Sequence, residues 1–401
     1  MNRDDRQGLR IAIVGGGIGG RSAMRFLRRA GVHNVTIYEQ APALREIGAG
    51  IQLSPNAVRL LVRLGLREAL EATAVRLEVG WELRRWEDGR VLFRQELGDS
   101  CEREFGAPYY VMHRADLLQL LAVDSPEHVQ LGRCCIGVSQ GADDARLTFV
   151  DGSTETADVV IGADGIHSIV QGAVTAPVPH TFSGLAAYRC LVPADRAPAV
   201  AARPVFTSWI GPGRHLVHYP VSGGREVNVV AAVPAGDWRA ESWTAEGSVD
   251  DFAAQFGGWD ERVTGLVSAA PSALLYAMYD REPLDRWVAG RVALLGDAAH
   301  PMLPALAQGA CQAIEDAAVL AGCLRHATRE TAPPALLQYE AVRRERATRV
   351  QELSRRRQDF NHLPDGDAQR RRDEGLARFD PLGDNAWIYG HDAERSALLV
   401  P

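Results

Sequence analysis

A glycine-rich turn near the amino terminus places the strongest constraint on how this chain folds. The segment IAIVGGGIGG, residues 11–20, puts a short β-branched strand directly before three spaced glycines. Gly15 permits a tight turn, Gly17 lets the backbone approach a pyrophosphate, and Gly20 allows a helix to pack close to the strand. The helix amino terminus then points at the phosphates. The segment therefore predicts a strand, turn and helix that bind a dinucleotide.

An acidic residue follows the next strand. Residues 35–38, VTIY, end at Glu39, which is 39 − 20 = 19 positions after Gly20. A carboxylate at about this separation hydrogen-bonds the adenosine ribose in dinucleotide-binding folds. Because an unphosphorylated ribose suits an acid there, Glu39 favours FAD or NAD over NADP.

The composition excludes several classes of protein. The chain has 401 residues, 46% of them hydrophobic, which is enough for two or three domains. Its formal net charge of −7 provides no general positive field for nucleic acid or an anionic membrane. The charged amino terminus is followed by no apolar run long enough for a signal peptide or a membrane span. We therefore expect a soluble, cytoplasmic protein that binds neither nucleic acid nor membrane.

The cysteines predict neither disulfides nor a metal site. They form no C-x-x-C pair and no cluster with the spacing of metal ligands, so reduced thiols are expected. The six positions are Cys101, Cys134, Cys135, Cys190, Cys311 and Cys323.

The pattern of strands and helices divides the chain into three parts. Alternating strands and helices predict one discontinuous dinucleotide-binding domain, made of residues 1–75, 101–180 and 285–335. Residues 76–100 and 181–284 are β-rich with many aromatic residues and Gly/Pro turns, and form an inserted substrate domain. Residues 336–401 form a C-terminal helical region. The predicted fold class is α/β, with a Rossmann-like domain, an inserted β-sheet domain and a C-terminal helical segment.

Three local predictions can be compared directly with the structure. Apolar spacing predicts one helix over 56–70, with Ser54 as its amino-terminal cap. An Arg-rich segment predicts a long helix over 335–360. The polar segment 363–384 predicts loop structure.

Two later turns repeat the pattern of the first one. GADG at 162–165 and the Gly296-Asp297 pair each follow a short strand rich in Val, Ile or Leu. If those strands are parallel neighbours, the turns converge on one ligand. Asp164 and Asp297 are then placed to accept hydrogen bonds from ribose or ribityl hydroxyls.

These segments together resemble the single-component flavoprotein aromatic hydroxylases, the group A FAD-dependent monooxygenases typified by hydroxybenzoate and salicylate hydroxylases. The string GDAAHPMLPALAQGACQAIEDA, residues 296–317, is similar to that family's Gly-Asp motif. YVMHRADL, residues 110–117, is similar to the segment whose arginine contacts the cofactor, and REIGAGIQ, residues 45–52, resembles the loop beside the flavin. The resemblance covers nearly the whole chain and implies that the dinucleotide is FAD.

The resemblance also implies roles for individual residues. The first turn would bind the FAD pyrophosphate, Asp164 would serve both FAD and NAD(P)H, and Asp297 would hold the ribityl chain. His300 would support the flavin loop. The implied cofactor-binding residues are Gly15, Gly17, Gly20, Glu39, Gln40, Arg45, Gln52, Arg114, Asp164, Asp297, Pro304, Gly309 and Ala310.

Two positions depart from the family pattern. The family often has an arginine seven positions after the aspartate of its Asp-Gly motif, where this chain has Gln171. It also commonly has Pro-x-x-Gly-Gln-Gly near the flavin ring, where Ala307 replaces the first glycine. The first departure leaves the choice between NADH and NADPH open.

The β-rich insert carries the expected catalytic residues in WIGPGRHLVHYP, residues 209–220. If 215–219 is a strand, His215 and Tyr219 share one face with Val217, while His218 points the other way. In family members acting on hydroxybenzoates and hydroxynicotinates, the residues resembling His215 and Tyr219 contact the substrate, and the histidine helps to remove its phenolic proton. The expected catalytic residues are His215 and Tyr219, and the expected substrate-binding residues are Trp209, His215, Tyr219 and Pro304.

The resemblance implies hydroxylation of a small phenolic aromatic acid with FAD, O2 and NADH or NADPH, through a flavin C4a-hydroperoxide. That oxygen is electrophilic, so a phenolate ring reacts better than a phenol, and a histidine suits the deprotonation. Since the hydroperoxide decays in water, we expect an apolar cavity between the two domains.

The sequence does not choose the substrate. Salicylate-like acids, 3-hydroxybenzoate and 6-hydroxynicotinate all fit, while MYDREPL, residues 278–284, looks like the hydroxybenzoate 6-hydroxylases. A flavin monooxygenase that tailors or epoxidises a larger natural-product ring is an alternative, as is an FAD-binding protein without hydroxylase turnover. The oligomeric state also stays open, with a homodimer as one option.

Overall fold

The computed structural model describes residues 8–43, 50–122, 126–240, 245–376 and 378–398. The strands are, in chain order, β1 Ile11–Val14, β2 Val35–Glu39, β3 Gly50–Leu53, β4 Val75–Arg76, β5 Gly80–Arg85, β6 Val91–Gln95, β7 Tyr110–His113, β8 Val129–Leu131, β9 Cys135–Gln140, β10 Ala145–Phe149, β11 Thr154–Ala157, β12 Val159–Gly162, β13 His180–Pro193, β14 Val205–Gly211, β15 Arg214–Val221, β16 Glu226–Pro234, β17 Glu246–Gly247, β18 Ala273–Arg281, β19 Val288–Ala289 and β20 Val292–Leu294. The helices are α1 Ile18–Arg29, α2 Pro55–Arg63, α3 Arg67–Thr73, α4 Gly98–Phe105, α5 Arg114–Leu120, α6 Val249–Ala254, α7 Glu261–Ser268, α8 Gly309–Leu324, α9 Ala332–Asn361, α10 Asp367–Leu376, α11 Pro381–Asp384, α12 Ala386–Tyr389 and α13 Ala393–Leu398.

A mostly parallel sheet forms the centre of the nucleotide-binding part. Its strand order is β19-β20-β12-β1-β2-β8, and only β19 runs antiparallel to its neighbour. The Val/Ile-rich strands β1 and β12 are fully buried, as expected for strands covered on both faces. Because β20, β12 and β1 are parallel neighbours, the turns that follow them meet at one edge of the sheet. The predicted convergence of the three turns is confirmed.

A second, largely antiparallel sheet carries the inserted region. Its order is β17-β18-β13-β16-β15-β14-β5-β6, in which β5 pairs with β14 in parallel. One face packs against α6 and α7 in a buried cluster that includes Trp209, Phe252 and Trp259. The opposite face is left to line a cavity. The predicted fold class, an α/β protein with a Rossmann-like domain, a β-sheet insert and C-terminal helices, is confirmed.

Two local predictions were wrong and one was confirmed. The helix predicted over 56–70 is split into α2 and α3, because Gly65 adopts a left-handed φ of +81°. Ser54 precedes α2, but its hydroxyl donates to the Asn56 side chain at 2.5 Å instead of capping a backbone N–H. The segment 363–384, predicted as loop, contains α10, whose Arg372 and Leu376 are buried. The long Arg-rich helix is confirmed as α9.

None of the described helices combines the length and the apolar character needed to cross a bilayer.

Candidate active site

The first glycine turn has the geometry that its sequence predicts. Gly15 has a φ of +104°, in the region that favours glycine. A Cβ at Gly15 would overlap the carbonyl of Ala163, and a Cβ at Gly20 would overlap the carbonyl of Gly15. At Gly17 an added Cβ would meet no atom within 4 Å, and this residue lines the cavity. The turn is therefore tight on its protein side and open on its cavity side.

Glu39 lies beside this turn at the end of β2. Its Oε2 accepts a hydrogen bond from the Gly16 N–H at 2.7 Å, and its Oε1 accepts one from the Ala41 N–H at 2.8 Å. Gln40, the next residue, is exposed. The carboxylate is thus fixed at the edge of the turn by backbone donors.

Two further predicted cofactor contacts lie near the small sheet of β3, β7 and β4. Gln52 on β3 lines the cavity, and its Oε1 accepts a hydrogen bond from the Tyr109 hydroxyl at 2.9 Å. Arg114, the first residue of α5, lines the same cavity. Arg45 lies outside the described residues.

Asp164 is held by its own loop. Its carboxylate accepts hydrogen bonds from the Ser168 hydroxyl at 2.6 Å and from the Ile169 N–H at 2.8 Å. Burial nevertheless raises the pKa of this carboxyl. Asp164 does not itself line the cavity, whereas its neighbours Ala163 and Gly165 do.

Arg281, at the end of β18, was not predicted from the sequence. It is fully buried, donates through Nη1 to Gln171 and through Nη2 to the Ala298 carbonyl at 2.7 Å. Burial lowers the pKa of its guanidinium to about 10, and the charges of Asp297 and Asp164 oppose that shift. Gln171, the departure from the family pattern, is therefore bonded to an arginine supplied by the inserted sheet.

The Gly-Asp segment lines the cavity beside the first turn, where the Leu295 side chain lies against Gly19. The side chain of Asp297 is open to the cavity, and desolvation by the surrounding protein raises the pKa of its carboxyl, while His300, Arg114 and Arg281 oppose that shift. The predicted contacts Pro304, Gly309 and Ala310 line the same cavity.

A buried ionic network fixes the Gly-Asp segment to α8 and α9. Asp316 Oδ2 accepts from the Gly296 N–H at 3.0 Å and lies 2.6 Å from His300 Nε2. Arg343 on α9 donates to Asp316 Oδ1 at 2.8 Å and to Glu315 Oε2 at 2.5 Å. His300 therefore supports this loop through its bond to Asp316 and does not line the cavity.

The substrate side of the cavity is one face of the inserted sheet. His215, Val217 and Tyr219 line it from β15, and Phe206 and Ser208 line it from β14. The predicted strand over 215–219 and its alternation are confirmed. The cavity has a volume of about 940 Å³ and continues to Gly17 and Asp297.

Trp209 does not lie in this cavity, so its prediction as a wall was wrong. It is 1% exposed and packs in the cluster beneath α6 and α7, with its ring under the guanidinium groups of Arg84 and Arg262. Since successive strand residues point to opposite faces, Phe206 and Ser208 point into the cavity while Trp209 points away.

His215 and Tyr219 are buried in the wall of the cavity. Burial lowers the pKa of His215 well below its usual value, and His362 and Arg357 lower it further, so the imidazole is neutral near pH 7. Burial raises the pKa of Tyr219. Tyr219 also packs close to Gly50, whose N–H donates to the Asn228 side chain at 2.6 Å.

The residues present fit FAD. The first turn is open where a pyrophosphate would lie, Asp297 and Arg114 line the cavity beyond it, and apolar side chains such as Trp81, Leu83 and Val230 line its substrate side. Within the described residues no group of His, Cys, Asp and Glu could hold a metal ion. The fold and the site define a flavin-dependent oxidoreductase.

Comparisons with known proteins agree with this class. The family described as FAD binding domain matches residues 9–354. A 3-amino-4-hydroxybenzoate 2-monooxygenase of Streptomyces platensis is 44% identical over 385 residues, covering 96% of each chain. A 6-hydroxynicotinate 3-monooxygenase of Pseudomonas fluorescens is 34% identical and covers 98% of each chain. A salicylate hydroxylase substrate complex has a TM-score of 0.83 at 28% identity over 98% of each chain.

The chain belongs to this FAD-binding family, and it is a single-component FAD-dependent monooxygenase that acts on aromatic substrates. The predicted family and FAD cofactor are confirmed. A structure of Klebsiella pneumoniae HpxO complexed with FAD and uric acid has a TM-score of 0.84 at 28% identity and covers all of both chains.

Proposed function

We propose that this protein hydroxylates a small phenolic aromatic acid, using FAD, O2 and NADH or NADPH. The observation that carries the proposal is that His215 and Tyr219 face the same cavity as Asp297 and the first glycine turn. The proposed catalytic residues are His215 and Tyr219, with Phe206 and Pro304 as further contacts to the ring.

The charges around the cavity support an acidic substrate. Arg357 on α9 lines the cavity, and within the described residues its guanidinium lies over the rings of Phe360 and Phe379 and forms no ion pair with a carboxylate. Burial lowers the pKa of its guanidinium to about 10. An anion in the cavity would form a charge-assisted hydrogen bond with this guanidinium and offset the cost of its desolvation. A substrate carboxylate is the proposed partner.

The same geometry suits a substrate with an ionisable hydroxyl. When bound, FAD supplies the chemistry that transfers one atom of O2 to the ring. Neutral His215 accepts the phenolic proton at its cavity-facing nitrogen, and the resulting phenolate donates more electron density to the ring. Apolar side chains, among them Trp81, Leu83 and Val230, exclude water from the same space.

The relatives indicate which acid to test first. The 3-amino-4-hydroxybenzoate 2-monooxygenases combine high identity with nearly full coverage, so we propose 3-amino-4-hydroxybenzoate or a close analogue as the substrate. The acids to be tested also include 6-hydroxynicotinate, 3-hydroxybenzoate and salicylate, which appear in the names of other relatives.

We also propose the domain division given by the sequence, with 1–75, 101–180 and 285–335 binding FAD, 76–100 and 181–284 binding substrate, and 336–401 completing the cavity. Free thiols at all six cysteines support the cytoplasmic location. A homodimer stays an option that sedimentation would test.

The experiment measures NADH and NADPH oxidation by the FAD-loaded enzyme with each acid, together with product and peroxide. We expect one acid to stimulate oxidation, with hydroxylated product formed in proportion. FAD binding with no stimulation by any acid, or stimulation that yields only peroxide, would contradict the proposal. Stimulation only by larger fused rings would instead favour a tailoring monooxygenase.

A further inference from the structure

The carboxyl end of α9 contacts the proposed base directly. His362, which follows the last residue of α9, has its Nε2 2.6 Å from His215 Nδ1, and the two ring centroids lie 4.8 Å apart. The Gly213 N–H donates to the His362 carbonyl at 3.2 Å, which fixes the helix end against the hairpin before β15. His215 lines the cavity and His362 does not. The Nδ1 side of His215 therefore points to α9, which leaves Nε2 for a ligand.

The short contact between the two histidines holds a single proton. His215 Nδ1 and His362 Nε2 are both ring nitrogens, so one of them donates to the other. A base that takes a proton at its cavity-facing Nε2 must carry its own N–H at Nδ1. His215 Nδ1 is then the donor in the histidine pair, and His362 Nε2 is the acceptor. Because a neutral imidazole has a single N–H, His215 Nε2 carries a lone pair.

The surrounding charges disfavour a cationic His215. The positive charge of Arg357 on α9 lowers the pKa of His215, and the positive charge of Arg214 on β15 lowers the pKa of His362. Burial lowers the pKa of both histidines, that of His362 to about 4. A proton that arrives at His215 Nε2 is best accommodated if another proton leaves from Nδ1.

We propose that His362 is a positioning residue that holds His215 in the Nδ1–H form and receives that proton when the substrate is deprotonated. This inference rests on the proposed function of His215 as the base. The substrate O–H bond breaks and an N–H bond forms at His215 Nε2, while the Nδ1 proton moves to His362 Nε2. His362 then releases one proton to solvent from the half-buried end of α9. His215 starts and ends neutral, so no imidazolium persists beside Arg357.

The first experiment needs neither substrate nor turnover. Nitrogen-15 NMR of labelled histidine in the FAD-loaded enzyme reports which ring nitrogen of His215 carries the proton. We expect the Nδ1–H form in the wild type and in His362→Gln, whose side-chain oxygen can accept the bond. We expect the Nε2–H form in His362→Leu. A wild-type His215 in the Nε2–H form, or an unchanged form in His362→Leu, would overturn the inference whatever the protein hydroxylates.

The second experiment measures ionisation of bound 3-amino-4-hydroxybenzoate by ultraviolet difference spectroscopy across pH. In His362→Leu we expect a roughly tenfold lower phenolate-to-phenol ratio at a given pH and a kcat lower by about ten- to a hundredfold, because a buried N–H loses its acceptor. KM should change less than threefold. His362→Gln should restore the phenolate-to-phenol ratio less fully than the tautomer and recover kcat only in part, because an amide oxygen accepts the hydrogen bond but cannot take up the proton. The exposed His326→Gln is the matched control.

The two experiments separate the two proposals. Equal phenolate ratios and equal pH profiles in His362→Leu and the wild type would overturn the role of His362. If the wild type shows the Nδ1–H form but neither binds nor hydroxylates any acid in the panel, the proposed function fails while the pairing of the two histidines stands.

Discussion

Replacing Arg343 by methionine tests whether the buried ionic network holds the Gly-Asp segment. Arg343 is fully buried and bonds both carboxylates of the adjacent pair Glu315 and Asp316. After the substitution Glu315 keeps Arg346 at 2.8 Å, while Asp316 keeps only His300 and a backbone N–H. Of these two neighbouring buried carboxylates, only Glu315 would then be paired with a guanidinium.

The expected cost follows from that geometry. Breaking a buried ion pair by removing one partner costs about 3–5 kcal/mol. At roughly 2.1 cal/mol/K per residue, unfolding 401 residues carries an entropy of about 0.84 kcal/mol/K, so Tm falls by about 4–6 °C if the chain unfolds cooperatively. FAD retention should weaken as well, because Asp316 also holds the Gly296 N–H.

The effect should depend on pH. The guanidinium and neighbouring positive charges outweigh burial and lower the pKa values of Glu315 and Asp316 in the folded chain. The stability that they contribute is present above the unfolded pKa, about 4, and is lost as pH falls. The Tm difference between the wild type and Arg343→Met should therefore be constant from pH 8 to about pH 5 and narrow below pH 4.

Calorimetry of both proteins, with FAD content measured in parallel, checks this prediction. Arg344→Met is the matched control, since Arg344 lies on the same helix, is half-buried and donates to the Asp285 carbonyl, so that its loss should change stability by no more than about 1 kcal/mol. A Tm for Arg343→Met within 1 °C of that control, or a difference that widens as pH falls, would refute the reasoning.

Four further substitutions have expected results. A Cβ at Gly50 would lie 2.6 Å from a ring carbon of Tyr219 and so displace the ring. Gly50→Ala should therefore raise the KM for the aromatic acid roughly tenfold. An unchanged KM would count against a role for Tyr219 in binding the substrate. Ala307 has a φ of +53°, a left-handed conformation that strains alanine and suits glycine. Ala307→Gly should therefore stabilise the FAD-loaded enzyme against thermal unfolding by about 1 kcal/mol. A loss of stability would show that Ala307 is not strained. Trp209→Phe should lower Tm and leave KM within twofold, because Trp209 points away from the cavity. Phe206→Ala should raise KM, because Phe206 lines the cavity. A larger change of KM in Trp209→Phe than in Phe206→Ala would show that Trp209 does line the cavity.

The nucleotide-binding half was predictable because its signals are local. The turn from Gly15 to Gly20 has its strand, its glycine spacing and its helix within ten residues, and each requirement is visible in the letters. The convergence with Asp164 and Asp297 followed from one rule about parallel strands. The hydrogen-bond partners of Asp164, such as the Ser168 hydroxyl, are also local.

The substrate side was less predictable because it depends on long-range pairing. The two-residue period of β15 placed His215 and Tyr219 correctly, but Trp209 lies on the preceding strand, and its face depends on the register between β14 and β15. Arg281 reaches Gln171 across 110 positions, and His362 reaches His215 across 147. No local pattern in the sequence indicates such pairs, so the contribution of α9 to the site emerged only from the fold.

The most direct test of the central claim, that this chain places oxygen from O2 on a phenolic aromatic acid, is an isotope measurement. The FAD-loaded enzyme is given NADH, ¹⁸O2 and the acid that most stimulates oxidation, and the product is analysed by mass spectrometry. We expect a hydroxylated acid that carries one ¹⁸O atom, with its formation slowed in His215→Ala. A product oxygen derived from water, or full NADH consumption recovered as peroxide, would contradict it.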